Sequence, residues 1–185
     1  DGEFRSWTEA DGLPTKRMFN IAESGAGVLW FSSLTHGLSV FDGQTFRAVG
    51  VAEGLDSPQV HLLQRDADLG IVAGTQPGGL YRLGDDGAIA ALGLGEPLPV
   101  QTMFRDGDGT LWLGTYGKGL WRQWPDGRRE RFPLPGADLV FDLAEDRDGN
   151  LWASTVRGLF RIRDSAFLPF GKAEGASDAT FVVTV

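Results

Sequence analysis

Side chains able to do chemistry are few in this chain, and they are scattered. It has two histidines, His36 and His61, and no cysteine, so thiolate metal sites, a cysteine nucleophile and disulfides are excluded. It contains no Gly-x-Ser-x-Gly nucleophile elbow and no His-x-x-x-His metal pair. Asp106-Gly107-Asp108-Gly109 opens like a calcium loop, but Leu111-Trp112 then enters an apolar run instead of supplying further oxygens. These acids read as turn carboxylates that accept backbone hydrogen bonds, and neither a metal nor another cofactor is expected. An acid–base pair can be assembled only from His61 or His36 with Glu96. What remains for recognition is cationic, aromatic and amide: Lys16, Arg17, Gln76, Tyr116, Lys118 and Arg157.

The elements that must position these groups follow from an internal repeat. Trp30, Val72, Trp112 and Trp152 stand at one position of four units, spaced by 42, 40 and 40 residues. The Gly-Leu pairs 37–38, 79–80, 119–120 and 158–159 step by 42, 40 and 39 and keep register with them. A third series, Gly12, Gly54, Gly95, Gly136 and Gly175, steps by 42, 41, 41 and 39. Within the fourth unit, Leu139–Ala144, Leu151–Thr155, Leu159–Ile162 and Ala166–Phe170 are short apolar runs separated by turn residues. Four short antiparallel strands in about 40 residues describe a β-propeller blade, so the fold class is all-β. The recurrent Trp is then a core residue between blades, and each Gly-Leu glycine supplies a positive φ between the second and third strands.

Composition agrees with a packed domain: 42% of the residues are hydrophobic and 23% charged. The 27 glycines, about twice ordinary usage, count the turns. A net charge of −8 is the wrong sign for a phosphate-backbone partner, so nucleic acid is not expected. No apolar run reaches the roughly 18 residues of a membrane span, so this segment is expected to make no membrane contact of its own.

The unit Gly-Leu-Pro, strand, Asp-x-x-Gly-x-Leu-Trp-x-Gly-Thr, then Gly-Leu resembles the two-component-regulator propeller repeat of bacterial sensor proteins. The fullest copies are Asp106 to Thr115 with Gly119-Leu120, and Asp146 to Trp152 with Gly158-Leu159. The first copy has Ser24 in place of the Asp, and the second keeps Asp66 but has Val72 in place of the Trp. The resemblance implies a periplasmic, extracytoplasmic sensor module coupled through the membrane to a histidine kinase or diguanylate cyclase. The family's motif residues build blades and carry no binding role.

The expected organisation is one propeller fragment over 1–185: an outer strand at 1–7, blades at about 15–49, 57–93, 98–133 and 138–170, and the start of a further blade at 176–185. Its exposed edges would seek missing blades or another copy of the chain. Strand parity puts the Asp-Gly turns on one face and the more variable second-to-third turns, with the interblade connections, on the other. Varying loops on a repeating scaffold are where recognition usually resides. The second face carries Arg17, His36, Gln76, Tyr116, Lys118 and Arg157, a set suited to a carbohydrate or anionic small molecule. On the innermost strands, Asn20, Leu62, Thr102 and Asp142 are equivalent, with His61 and Gln101 one residue earlier; a shift of one residue would exchange channel for core. The reading is a non-catalytic sensory, ligand-binding module whose candidate site residues are Arg17, His36, His61, Gln76, Tyr116, Lys118 and Arg157. Its alternatives are a propeller lyase using the His–Glu pair and a protein-binding scaffold.

Overall fold

The computed structural model describes residues 2–163 and shows four antiparallel sheets in sequence order. The first holds β1 (Ile21–Glu23), β2 (Leu29–Ser33), β3 (Gly37–Phe41) and β4 (Phe46–Val49), and the second β5 (Val60–Asp66), β6 (Gly70–Thr75), β7 (Leu80–Leu83) and β8 (Ile89–Ala91). The third holds β9 (Val100–Arg105), β10 (Leu111–Thr115), β11 (Leu120–Gln123) and β12 (Arg129–Phe132), and the fourth β13 (Val140–Glu145), β14 (Leu151–Thr155) and β15 (Gly158–Ile162). Each is a propeller blade whose strands pair with their sequence neighbours. The chain divides into two compact units, Asp1–Leu98 and Pro99–Val185, and each contains two of these blades. The expected fourth strand at 166–170, Gly175 and the expected blade start at 176–185 lie outside the described residues.

Residues 2–7, expected as an outer strand, form none. Side chains anchor this segment instead: Trp7 meets the rings of Phe41 and Phe46 edge-on, with centroids 6.1 and 6.2 Å away. Arg5 lies over the indole at 5.0 Å.

In each unit the core lies between its two blades. In the first, Trp30, Leu38 and Val40 pack with Leu63, Ile71 and Leu83. In the second, Trp112, Leu120 and Phe132 pack with Val140, Leu151 and Phe160. The blades approach closely because the second strand is small at one position. A Cβ on Gly114 would stand 2.6 Å from Thr102 Cγ2 and 2.7 Å from Val140 Cγ1.

The turn between second and third strands is held by a hydroxyl at the end of the second strand. Thr115 Oγ1 donates to Gly119 O at 2.6 Å and accepts from Lys118 N at 3.1 Å. Thr155 likewise donates to Gly158 O and accepts from Arg157 N, both at 3.0 Å. Gly37, Gly119 and Gly158 there have the positive φ expected of them. Gly79 does not; Gly78 takes that role. The second turn has two adjacent glycines, and an added Cβ on Gly79 would run into the Tyr81 ring at 2.5 Å.

Candidate functional site

The Asp of the repeat organises the first hairpin of its blade. Asp146 Oδ1 accepts from Asp148 N and Asn150 N, each at 2.9 Å, and Oδ2 accepts from Trp152 Nε1 at 2.8 Å. Asp106 does the same for Asp108 N, Thr110 N and Trp112 Nε1 at 3.1, 2.9 and 2.8 Å. The indole bond, then the Asn150 side chain and the backbone N–H groups, hold the Asp146 carboxyl well below the usual carboxylate range. These acids are thus turn carboxylates, as their spacing predicts.

At the other end of the blades, turns and connections are stitched together within each unit. Gly37 N donates to Pro58 O at 2.8 Å and Gln76 N to Gln59 O at 2.9 Å. In the second unit Tyr116 N donates to Pro99 O at 2.8 Å and Gly119 N to Asp138 O at 2.7 Å. The second-to-third turns and the interblade connections therefore share one end, as strand parity requires.

The first unit holds four of the sequence-predicted site residues. Arg17 is exposed just before β1, its N–H donating to Thr15 Oγ1 at 3.2 Å. His36 is exposed in the turn between β2 and β3, with Nδ1 2.8 Å from Thr35 Oγ1. Gln76 is half-buried after β6. His61 is half-buried on β5, and burial pushes its pKa below the usual 6.5.

The second unit holds the other three. Tyr116 is 51% exposed and forms a lone backbone bridge with Leu139. Lys118 is exposed in the same turn, and its carbonyl accepts from Trp121 Nε1 at 3.0 Å. Arg157 is exposed and donates from Nε to Gly136 O at 3.3 Å, which holds its guanidinium over the preceding connection.

The first strands carry a feature that the spacing did not reveal. The pairing of β5 with β6 jumps from Val60 to Leu62, that of β9 with β10 from Val100 to Thr102, and that of β13 with β14 from Val140 to Asp142. His61, Gln101 and Phe141 are the extra residues of three equivalent bulges, a device that re-aims side chains. Leu62 and Thr102 are consequently buried, while Phe141 is 47% exposed and Phe19, at the same offset in the first repeat, 53%. Neighbouring first strands are tied within each unit: Asn20 Nδ2 donates to His61 O at 3.1 Å and Thr102 Oγ1 to Asp142 Oδ1 at 3.3 Å. Reading eleven residues back from the Trp position, instead of ten, finds the series Phe19, His61, Gln101 and Phe141. Gln101 Oε1 is buried with no hydrogen-bond partner among the described residues.

At the Asp-turn end each unit has a hollow between its blades. That of the first unit is about 360 Å³ and is lined by Ser24, Gly25, Arg65 and Arg82 among others. That of the second is about 280 Å³ and is lined by Asp106, Trp112, Glu145 and Leu151 among others.

Residues 94–117 and 133–157 match the two-component regulator propeller family. Comparison with curated proteins found no match. Among solved structures, the chain is similar to the extracellular domain of a protein from B. thetaiotaomicron described as a one-component system. The identity is 25% and the TM-score 0.63, over 79% of this chain and 20% of that one. It is also similar to the extracellular domain of a protein from the same organism described as a hybrid two-component system, at 20% identity and a TM-score of 0.64, over 92% of this chain and 24% of that one. Virginiamycin B lyase from Staphylococcus aureus is similar at 16% identity and a TM-score of 0.60, over 84% of this chain and 55% of that one. The last two likenesses show the fold alone. The chain spans about a fifth to a quarter of the length of these two extracellular domains. With the Asp–Trp hairpins in register and the sheets ordered as blades, residues 94–117 and 133–157 are two copies of the two-component regulator propeller repeat within a β-propeller fold.

Proposed function

We propose that this chain is part of the extracytoplasmic, periplasmic sensory propeller of a bacterial signal-transduction protein, capturing a small molecule and passing the event to a kinase or cyclase domain elsewhere in the protein. The observation that carries this reading is the match of residues 94–117 and 133–157 to the regulator propeller repeat. The similarity to the extracellular domain of a one-component system supports it. The likeness to lyases is one of fold and brings no activity with it.

The ligand is a carbohydrate or an anionic small molecule. In the first unit Arg17, His36, His61 and Gln76 offer charge, imidazole and amide. In the second, Tyr116, Lys118 and Arg157 offer a ring and two cations. Further blades, or a second copy of the chain, complete the exposed edges.

The test is a thermal-shift screen of neutral and acidic oligosaccharides, followed by titration calorimetry on any that raise the melting temperature. Exposed Tyr116 and Lys118 can be changed to Ala without disturbing the core, so Y116A and K118A should weaken binding of an active compound at unchanged stability. Turnover of the bound compound, or binding indifferent to every substitution in the seven-residue set, overturns the reading.

A further inference from the structure

The outer hairpin of the third blade differs from that of the second in its side chains and not in its backbone. Between β7 and β8, Gly84 N donates to Ala88 O and Gly87 N to Gly84 O, both at 2.9 Å, and Asp86 Oδ1 accepts from Ala88 N at 2.9 Å. Between β11 and β12, Trp124 N donates to Arg128 O and Gly127 N to Trp124 O at the same 2.9 Å, and Asp126 Oδ1 accepts from Arg128 N at 2.9 Å. Glycine and alanine therefore suffice for this turn. In register, Gly84, Ala88, Ile89, Ala90 and Ala91 of the second blade are replaced in the third by Trp124, Arg128, Arg129, Glu130 and Arg131. Four arginines fall within 122–131 against two acids, in a chain whose net charge is −8.

Two indole rings hold these arginines. Arg128 lies over the Trp124 ring at 3.8 Å and Arg122 at 4.5 Å, while Arg129 lies over the Trp121 ring at 5.4 Å. A guanidinium stacked in this way keeps its N–H edge turned outward, where it can grip a carboxylate. Arg122 already does so, from Nε and Nη2 to Glu130 Oε1 at 2.8 and 2.6 Å. The Arg131–Asp138 pair, 2.7 Å apart and exposed on both sides, is of a kind worth little and is open to exchange. Arg128 is exposed, with no carboxylate within ion-pair reach among the described residues. β12 is the outermost strand of its sheet and pairs with β11 alone, so its far edge faces no strand among the described residues. Cations on an edge strand can serve to repel stray strands. Of the other outermost strands, however, β8 carries none and β4 only Arg47, which donates to Asp86 O at 3.3 Å, and repulsion gives no reason for two Trp rings.

We propose that the open edge of β12 takes an extended acidic peptide as an added strand. Backbone bonds along the edge set its register, and carboxylates on every second residue, about 7 Å apart, meet Arg129 and Arg131, which stand at that spacing on one face. Only a partner with a peptide backbone can use both the edge and the charges. No side chain of the seven-residue set takes part, so the proposal stands independently of the sensory reading above. The probe is a blocked peptide of alternating Glu and Thr, about eight residues long, titrated calorimetrically into the chain. It should bind one to one, and its Lys-for-Glu counterpart should not bind. Arg128→Gln and Arg131→Gln should each weaken binding about threefold and together about tenfold, at an unchanged melting temperature. An added strand uses the N–H groups of alternate residues only, so N-methylation of one alternate set should abolish binding. No binding at millimolar concentration overturns the proposal. Binding indifferent to methylation of either set also overturns it, because the hairpin is then a surface for any polyanion. The third adverse result is self-association of R128Q/R131Q with peptide binding intact, which would make the arginines guards of the edge.

Discussion

Trp152 donates its indole N–H to Asp146 Oδ2 at 2.8 Å, and the same bond joins Trp112 to Asp106 at 2.8 Å. One carboxylate thereby fixes both the turn that precedes the second strand and the large ring that this strand carries. The spacing Asp-x-x-Gly-x-Leu-Trp is what that double grip requires. The aspartate must start the turn, the glycine take its positive φ (+77° at Gly149, +83° at Gly109), and the Trp stand six residues on, where its ring edge returns to the turn.

The bond makes a pH prediction. The folded chain favours the charged Asp146, whose carboxyl is depressed from the usual 3.8 chiefly by the Trp152 indole. A depressed carboxyl contributes stability in full above the unfolded value, and the contribution fades as the pH falls through the folded one. Melting temperatures of wild type and D146N should therefore differ at neutral pH and converge below about pH 4. A constant gap down to pH 2 would show that the carboxylate charge is irrelevant to the hairpin.

The first blade supplies the converse. Ser24 Oγ holds its turn by accepting from Ala26 N and Val28 N at 3.3 Å, while Trp30 Nε1 is buried with no hydrogen-bond partner among the described residues. Giving Trp30 an acceptor by S24D should raise the melting temperature by a few degrees, the equivalent of about 1 kcal/mol in a chain of this size. D106S should lower it, because Ser24 shows that a serine can still hold the turn while losing the indole. A destabilised S24D would mean that the Trp30 N–H does not face this turn.

How far the sequence reaches depends on what a repeat can reveal. The landmarks at Trp30, Trp112 and Trp152 located the second strands and, with Asp106 and Asp146, the hairpins before them. The bulges at His61, Gln101 and Phe141 leave no mark in the repeat for the same reason: a feature present in successive copies leaves their spacing unchanged, so it cannot appear as an irregularity. Without the extra residue, side-chain direction on the first strands stays ambiguous by one, and spacing alone does not distinguish Phe19 and Phe141 from their neighbours. The buried indole N–H of Trp30 is hidden differently. Ser24 in place of the repeat's Asp is visible in the sequence, but its consequence depends on the buried position of Trp30. For the exposed candidates, from Arg17 to Arg157, chain order could say which end of a blade they share and nothing about what they bind.

Gly114 tests the packing between blades of the second unit. Its backbone is not in the left-handed region, so Ala adds volume alone, against two β-branched neighbours, Thr102 and Val140. G114A should cost about 1–3 kcal/mol as overpacking, read from the urea midpoint at unchanged slope. The pair G114A with V140A, which returns the space, should recover part of that loss. An unchanged midpoint for the single variant would mean that the blades yield freely there.

His61 offers the last test and a reporter for the ligand. Burial lowers its pKa from 6.5, so the folded chain binds fewer protons than the unfolded one wherever the two differ. Its contribution to stability is therefore complete above pH 6.5 and is lost as the pH falls toward the folded value. H61Q should flatten the stability profile over that window. NMR titration of the imidazole should show a midpoint below 6.5, and a midpoint at or above it would contradict the burial of the ring on β5. Being neutral at pH 7, His61 can give a ligand a hydrogen bond but no charge, which leaves the cationic role in its unit to residues such as Arg17. An anion bound beside His61 would stabilise the imidazolium and move the midpoint upward, whereas a neutral sugar that only buries the ring would move it further down. The direction of that shift on adding a ligand separates the anionic from the carbohydrate reading without knowledge of the bound geometry.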